Sequence, residues 1–186
     1  MPRDDGKPQG VDDAGPPGKW GSPGRSRRDL RGSGRHREAE QVLTADTNLF
    51  IHAADPDSVR HVRARDFFLD ILNGGEEFVL CELVLIELYM QLRNPAVFAK
   101  PYSAKEASDY CRALKKNPLW RCVDYDPAIS VGLWNYASST QAGFRHIIDA
   151  RLALTLRHHG VNRLATVNVK HFKDFGFERV WNPLEE

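Results

Sequence analysis

The sequence has little cysteine, no long apolar run and almost no net charge. Its three cysteines, Cys81, Cys111 and Cys122, are odd in number and nowhere spaced as Cys-x-x-Cys, which argues against a disulfide framework or a thiolate zinc site and fits a reducing compartment. Cys81 and Cys122 lie in or beside apolar runs, where a thiol acts as a small hydrophobe. No apolar stretch approaches the roughly 20 residues needed to cross a bilayer, and no signal-peptide core opens the chain. A soluble, cytoplasmic protein without a membrane partner is expected. A net charge of +1 over 186 residues gives no global field for a polyanion. No glycine-rich loop follows a strand-like run, so nucleotide binding through a phosphate-cradling loop is excluded. Internal repeats are absent.

The apolar content, 41%, is low for a compact domain and unevenly spread. Residues 1–40 hold 8 of the 14 glycines and 5 of the 11 prolines, with almost no aliphatic side chains. Such a segment cannot bury enough apolar surface to offset its ordering entropy. It is read as a disordered Gly/Pro/Arg-rich extension, leaving one globular domain over residues 41–186. Arg25, Arg27, Arg28, Arg31, Arg35 and Arg37 fall within thirteen positions. They form either an arm for a polyanion or a merely solvated tail.

From residue 42 onward, strand and helix signals alternate. Val42–Ala45, Phe78–Cys81, Trp120–Val123 and Arg163–Val167 read as buried strands, with Val180–Trp181 as a short edge strand. Helical signals fall over Leu49–Ala54, from Asp57 or Ser58 to Leu72, over Glu82–Arg93, from a Ser103/Glu106 capping box to Lys116, from Asp126-Pro127 through Tyr136, and over His146–His159. The stretch ELVLIELYMQLR is apolar nearly all round, so it is expected at the centre of the core. This order predicts an α/β/α domain with a central parallel sheet of four to five strands.

Three carboxylates sit where a core is expected. Asp46 follows the first strand in LTADTNLFIHA, the end of a parallel sheet at which functional groups gather; a helix N-cap would leave the same pattern. Glu87 has Leu83, Val84, Met90 and Gln91 as its helical neighbours, so it needs either a basic partner, a route to the surface or a cation. Asp149, in IIDARLAL, lies in the first turn of a helix, where the macrodipole favours an anion, yet Ile147, Ile148, Leu152 and Ala153 surround it. Three acids in three elements of one domain would repel unless a divalent cation neutralised them. All-oxygen donors favour Mg²⁺ or Mn²⁺ over zinc, and such a site suits attack of an activated water on a phosphodiester.

Four stretches, ADTNLFI (45–51), CELVLIEL (81–88), IIDARLA (147–153) and TVNVKHF (166–172), together resemble the PIN domain, the nuclease fold of VapC-type toxins, over about residues 41–182. The resemblance implies a metal-dependent ribonuclease with Asp46, Glu87 and Asp149 as catalytic metal ligands and Thr47, Asn48 and Thr166 as supports. It also implies products with a 5′-phosphate and a 3′-hydroxyl, an RNA substrate, an antitoxin protein as inhibitor, and a homodimer. One departure stands out. Where many members carry a fourth acid at or just after the place of Asn168, often followed by another before the phenylalanine, this chain has Asn168 and His171, with Asp174 further on; Asn168 could ligate through its carbonyl but brings no charge. One resident Mg²⁺, with a second recruited alongside the substrate phosphate, is therefore expected. A catalytically inert PIN-like module that binds RNA or protein is the alternative.

An acidic pocket that takes RNA needs cations around it. Arg60 and Arg63, early in the first long helix, and Arg145 and Arg151, beside Asp149, are the candidates; a solvated helix face is the competing reading for Arg60 and Arg63. Trp134 and Tyr136 are expected in the core, with base stacking as the alternative.

Overall fold

The structure is a computed structural model and describes residues 41–139 and 146–185. The proposed N-terminal extension and Arg145 lie outside the described residues. Five strands form one parallel sheet: β1 (Val42–Ala45), β2 (Glu77–Cys81), β3 (Trp120–Val123), β4 (Arg163–Ala165) and β5 (Arg179–Trp181), in the order β3-β2-β1-β4-β5. Every pairing is parallel, with Leu43 opposite Phe78 on one side of β1 and Arg163 on the other. The expected parallel sheet of four to five strands is borne out, with five, including the short edge strand.

Six α-helices lie among the described residues: α1 (Thr47–Ala54), α2 (His61–Gly74), α3 (Glu82–Leu92), α4 (Ala104–Lys115), α5 (Ser130–Ala137) and α6 (His146–His158). The chain moves outward from β1 to β2 and β3, then crosses back to β4 and β5. Parallel crossovers are right-handed as a rule, so crossovers that run in opposite directions from a central strand call for helices on both faces of the sheet. β1 is central, and the chain leaves its two sides in opposite senses. That is the switch point of a doubly wound sheet, where a crevice opens beyond the strand ends.

The core explains this arrangement. All four β1 residues are buried, as a strand covered on both faces must be. Phe50 of α1 and Phe68 of α2 meet at 4.5 Å between ring centroids, and Phe78 of β2 and Trp120 of β3 at 4.8 Å, forming one aromatic cluster between helices and sheet. Leu152, Ala153 and Leu156 of α6 are buried as well. Gly75 ends α2 at φ 73° and Gly160 follows α6 at φ 80°, a left-handed conformation that only glycine adopts cheaply.

Several local expectations change. α2 starts at His61 rather than at Asp57 or Ser58, because the Ser58 hydroxyl accepts the Arg60 amide in the turn before the helix. The Asp126-Pro127 start gives a short 3-10 turn over Pro127–Ile129 before α5 begins. The α4 capping box forms as read, with Ser103 and Glu106 each accepting the other's backbone amide. α3 is less central than its composition implied: Val84, Leu85, Leu88 and Leu92 are buried, but Ile86 and Met90 are more than half exposed. Trp134 is 64% exposed rather than in the core, while Tyr136 packs against Phe175. Cys81 is buried and Cys122 exposed. No helix among the described residues is long and apolar enough to cross a membrane.

Candidate active site

The site lies at the switch point. The Asp46 amide continues the β1–β4 ladder by donating to the Ala165 carbonyl at 2.9 Å, so the residue after β1 is held beside the residue after β4. Asp46 then becomes the N-cap of α1, its backbone extended at φ −73° and ψ 159°. Its carboxylate, though only 7% exposed, is fully engaged by neutral donors. Oδ1 accepts the Thr47 amide at 2.7 Å; Oδ2 accepts the Asn48 side-chain amide at 2.6 Å and the Thr166 hydroxyl at 2.7 Å.

Thr166 is the hub of this network. Besides donating to Asp46, its Oγ1 accepts the Asn48 Nδ2 amide at 3.1 Å and the Asn168 backbone amide at 3.0 Å. One donation and two acceptances use the whole capacity of a hydroxyl, so its proton is fixed toward Asp46. Asn48 is locked in turn, because its Oδ1 accepts the Val167 amide at 3.2 Å. Both flanking loops are thereby tied to one carboxylate. Thr47 points the other way: its Oγ1 donates to Glu87 Oε2 at 2.7 Å. Glu87, on the half-buried side of α3, thus finds a hydroxyl rather than a basic partner.

The charges converge on Asp46. Burial pushes its carboxyl up to about 6; the Thr166 hydroxyl pulls it down, the Glu87 charge raises it again, the Thr47 amide lowers it, and the Asp149 charge raises it further. Both other acids are therefore close enough to act on it. Asp46 is thus a buried carboxylate held by neutral groups, with the Glu87 and Asp149 charges acting on it; all three side chains offer oxygen donors. Such a donor set fits a hard divalent cation.

Asp149 lies in the first turn of α6, as expected. Its Oδ2 is 3.0 Å from His171 Nδ1, and the His171 and His146 rings stand 4.8 Å apart. His171 stands at a last-motif place where many family members carry an acid and His146 flanks Asp149 in sequence, but neither is expected as a ligand from sequence. His146 and Asp149 are three apart on a helix and share a face, a legible signal; His171 comes from a separate turn after β4, and only the fold brings it there. Asn168 contributes its backbone amide to Thr166, while its side chain is in an exposed position.

The basic candidates fare differently. Arg63 donates to the Leu184 carbonyl at 2.7 Å and Arg60 pairs with Glu185 at 3.5 Å, so both clasp the chain's last segment. Arg151 lies over the Tyr125 ring at 5.0 Å from its centroid.

Comparison with known proteins agrees with this architecture. The PIN domain family matches residues 43–178. Over 143 residues, 77% of this chain and 97% of the relative, the sequence is 41% identical to Ribonuclease VapC24 of Mycobacterium tuberculosis. Among solved structures, FitAcB from Neisseria gonorrhoeae aligns at a TM-score of 0.53 with 20% identity, over 77% of this chain and 99% of that one. VapBC2 from Rickettsia felis, bound to a DNA fragment from its promoter, aligns at 0.52 with 14% identity, over 76% and 98%. The family match over residues 43–178, the fold and a relative of nearly equal extent agree: the chain belongs to the PIN-domain family.

Proposed function

We propose that this VapC-type PIN-domain ribonuclease is the toxin of a toxin–antitoxin pair and hydrolyses RNA phosphodiesters with a divalent cation held by Asp46, Glu87 and Asp149. The observation that carries the reading is the Asp46 carboxylate, buried among neutral donors and raised toward neutrality by its burial and by two nearby acids. A folded protein keeps such an electrostatic liability where a bound cation removes it. The 41% identity with a ribonuclease over nearly all of that relative's length supports the activity.

When bound, Mg²⁺ or Mn²⁺ supplies Lewis acidity toward the phosphate and an activated water. The chain's own residues do the rest. Thr166, Asn48 and the Thr47 amide hold the Asp46 carboxylate in one orientation, and Thr47 fixes Glu87. Water adds to phosphorus as the bond to the 3′ oxygen breaks, leaving a 3′-hydroxyl and a 5′-phosphate. Because Asn168 is neutral, one resident cation with a second arriving with the substrate is our preferred stoichiometry. Arg151 and Arg145 remain our candidates for the RNA backbone. The ion pair and carbonyl bond of Arg60 and Arg63 favour a structural role, with any RNA contact secondary.

An antitoxin segment and a second copy of the chain both belong to this reading. Ile86 and Met90 on α3, and Val131 and Trp134 on α5, offer exposed apolar surface for such contacts. The test is incubation of the purified chain with total cellular RNA, with Mg²⁺ and with EDTA, followed by mapping of the new ends. Mg²⁺-dependent cleavage leaving 5′-phosphates is expected. Cleavage that survives EDTA would overturn the metal reading, and no cleavage under any condition would favour the inert binding module.

A further inference from the structure

We infer that Tyr125 and Arg151 form a nucleotide subsite beside the acidic pocket, where an unpaired RNA base stacks on the phenol ring and Arg151 grips the adjoining phosphate. The inference rests on the ribonuclease reading only for the identity of the ligand. The Arg151 guanidinium lies over the Tyr125 ring, 5.0 Å from its centroid. Tyr125 is exposed, and Arg151 is half-buried on α6. Tyr125 is the second residue beyond β3, whose last residue, Val123, pairs with Cys81 at the end of β2. The Arg151 and Asp124 charges both act on the Cys81 thiol. The pair therefore stands at the carboxyl ends of the sheet, the same edge as Asp46. Two strand spacings separate β3 from β1, about 10 Å, close enough for one RNA strand to lie across both.

Arginines over aromatic rings are common and usually serve the fold. Arg93, Arg157 and Arg163 are of that kind, because each also donates to an oxygen of the fold: the Tyr89 hydroxyl, the Val161 carbonyl, and Gln41 with Glu76. Arg151 makes no hydrogen bond or ion pair among the described residues. Its ring contact orients the guanidinium and leaves the N–H donors unspent. A planar cation with open donors matches phosphate oxygens in a bidentate manner. An exposed phenol offers a π-face that any base can use. Local attraction of this kind is needed, since residues 41–186 carry 17 Lys and Arg against 18 Asp and Glu and so present no general field for a polyanion. Unpaired RNA follows as the ligand, because only an unstacked base can meet a side-chain ring.

The test is binding of the full chain to short single-stranded RNA oligomers, read by fluorescence anisotropy in EDTA, where Mg²⁺-dependent cleavage cannot contribute. One set of oligomers carries a single abasic position, moved along the strand. Tyr125→Ala should weaken binding at least about fivefold, the lower end for loss of one base–aromatic stack, and Tyr125→Phe should bind as the wild type does. Arg151→Lys keeps the charge but not the planar fork, and should weaken binding as well. One abasic position should cost the wild type a similar factor and cost Tyr125→Ala nothing further. A merely structural role for the ring would leave that abasic cost in place. Wild-type affinity in Tyr125→Ala, an abasic cost unchanged by that variant, or no binding of any oligomer by the wild type overturns the proposal. If the abasic dependence appears while RNA is never cleaved with Mg²⁺, the subsite stands and the ribonuclease reading fails. If Mg²⁺-dependent cleavage occurs and Tyr125→Ala alters neither binding nor cleavage, the subsite alone fails.

Discussion

The Thr47 hydroxyl donates to Glu87 Oε2 at 2.7 Å, while the amide of the same residue donates to Asp46 Oδ1, also at 2.7 Å. One small residue, 1% exposed, thus links the acid after β1 through its amide to the acid on α3 through its hydroxyl. Neither carboxylate can turn without breaking a bond to Thr47.

Thr47→Val keeps the volume and removes that hydroxyl. Glu87 would lose its fixed direction while Asp46 kept all its donors. Activity or metal affinity should fall about 10–100-fold, as when the outer partner of a metal ligand is lost, with the circular dichroism unchanged. Single-turnover cleavage across a Mg²⁺ series checks this, and wild-type activity would show that Glu87 does not depend on Thr47.

Thr166→Val tests the hub. The Thr166 hydroxyl holds the Asp46 carboxyl down against burial, so its loss must move that group further above about 6. Cation binding requires ionised Asp46. The acidic limb of the cleavage profile should therefore shift to higher pH, with a larger deficit at pH 6.5 than at pH 8.5. A deficit equal at both values would mean that Thr166 acts on something other than this ionisation.

The metal-free protein should be more stable at mildly acidic pH than its other groups would make it. Asp46 titrates near 3.8 when unperturbed and near 6 in the fold. Between these values the folded state holds a proton that the unfolded chain has released. Its contribution is full below about pH 3.8 and is lost as pH rises through 6; at roughly 1.4 kcal/mol per pKa unit it amounts to about 3 kcal/mol at most. Burial and Arg60 lower the His52 pKa, so its protonation works in the opposite direction on acidification. The comparison is therefore with Asp46→Asn, which keeps His52. In EDTA, wild-type stability relative to the variant should rise from pH 7 to pH 5, as read by urea melts, and a flat difference would contradict the shift.

Ser103→Ala provides a control on the fold alone. It removes half of the α4 capping box and should cost about 1 kcal/mol of stability without changing cleavage. A loss of activity equal to that of the site variants would mean that α4 is coupled to the chemistry.

Legibility in the sequence followed the length and regularity of each signal. The strands were readable because a parallel sheet covered on both faces needs continuous apolar runs, such as Phe78-Val79-Leu80. Asp46, Glu87 and Asp149 stood out because a charge in apolar sequence demands an explanation. Thr166 was legible only as part of a resemblance; its role as hub depends on the pairing of β1 with β4, which nothing local encodes. The exposure of Ile86, Met90 and Trp134 was missed because composition cannot distinguish a buried face from one that meets a partner. Arg60 and Arg63 were weighed as RNA ligands, yet they clasp residues more than a hundred positions away.

The central claim is that Asp46, Glu87 and Asp149 act together through one divalent cation. The most direct test compares cleavage of a defined RNA by the wild type, Asp46→Asn, Glu87→Gln and Asp149→Asn across a Mg²⁺ titration, with folding checked by circular dichroism. Each variant should lose at least about 100-fold in rate, since groups that act as a unit fail together rather than additively, and EDTA should abolish wild-type cleavage. Folded variants that cleave at the wild-type rate, or a wild type indifferent to EDTA, would contradict the account.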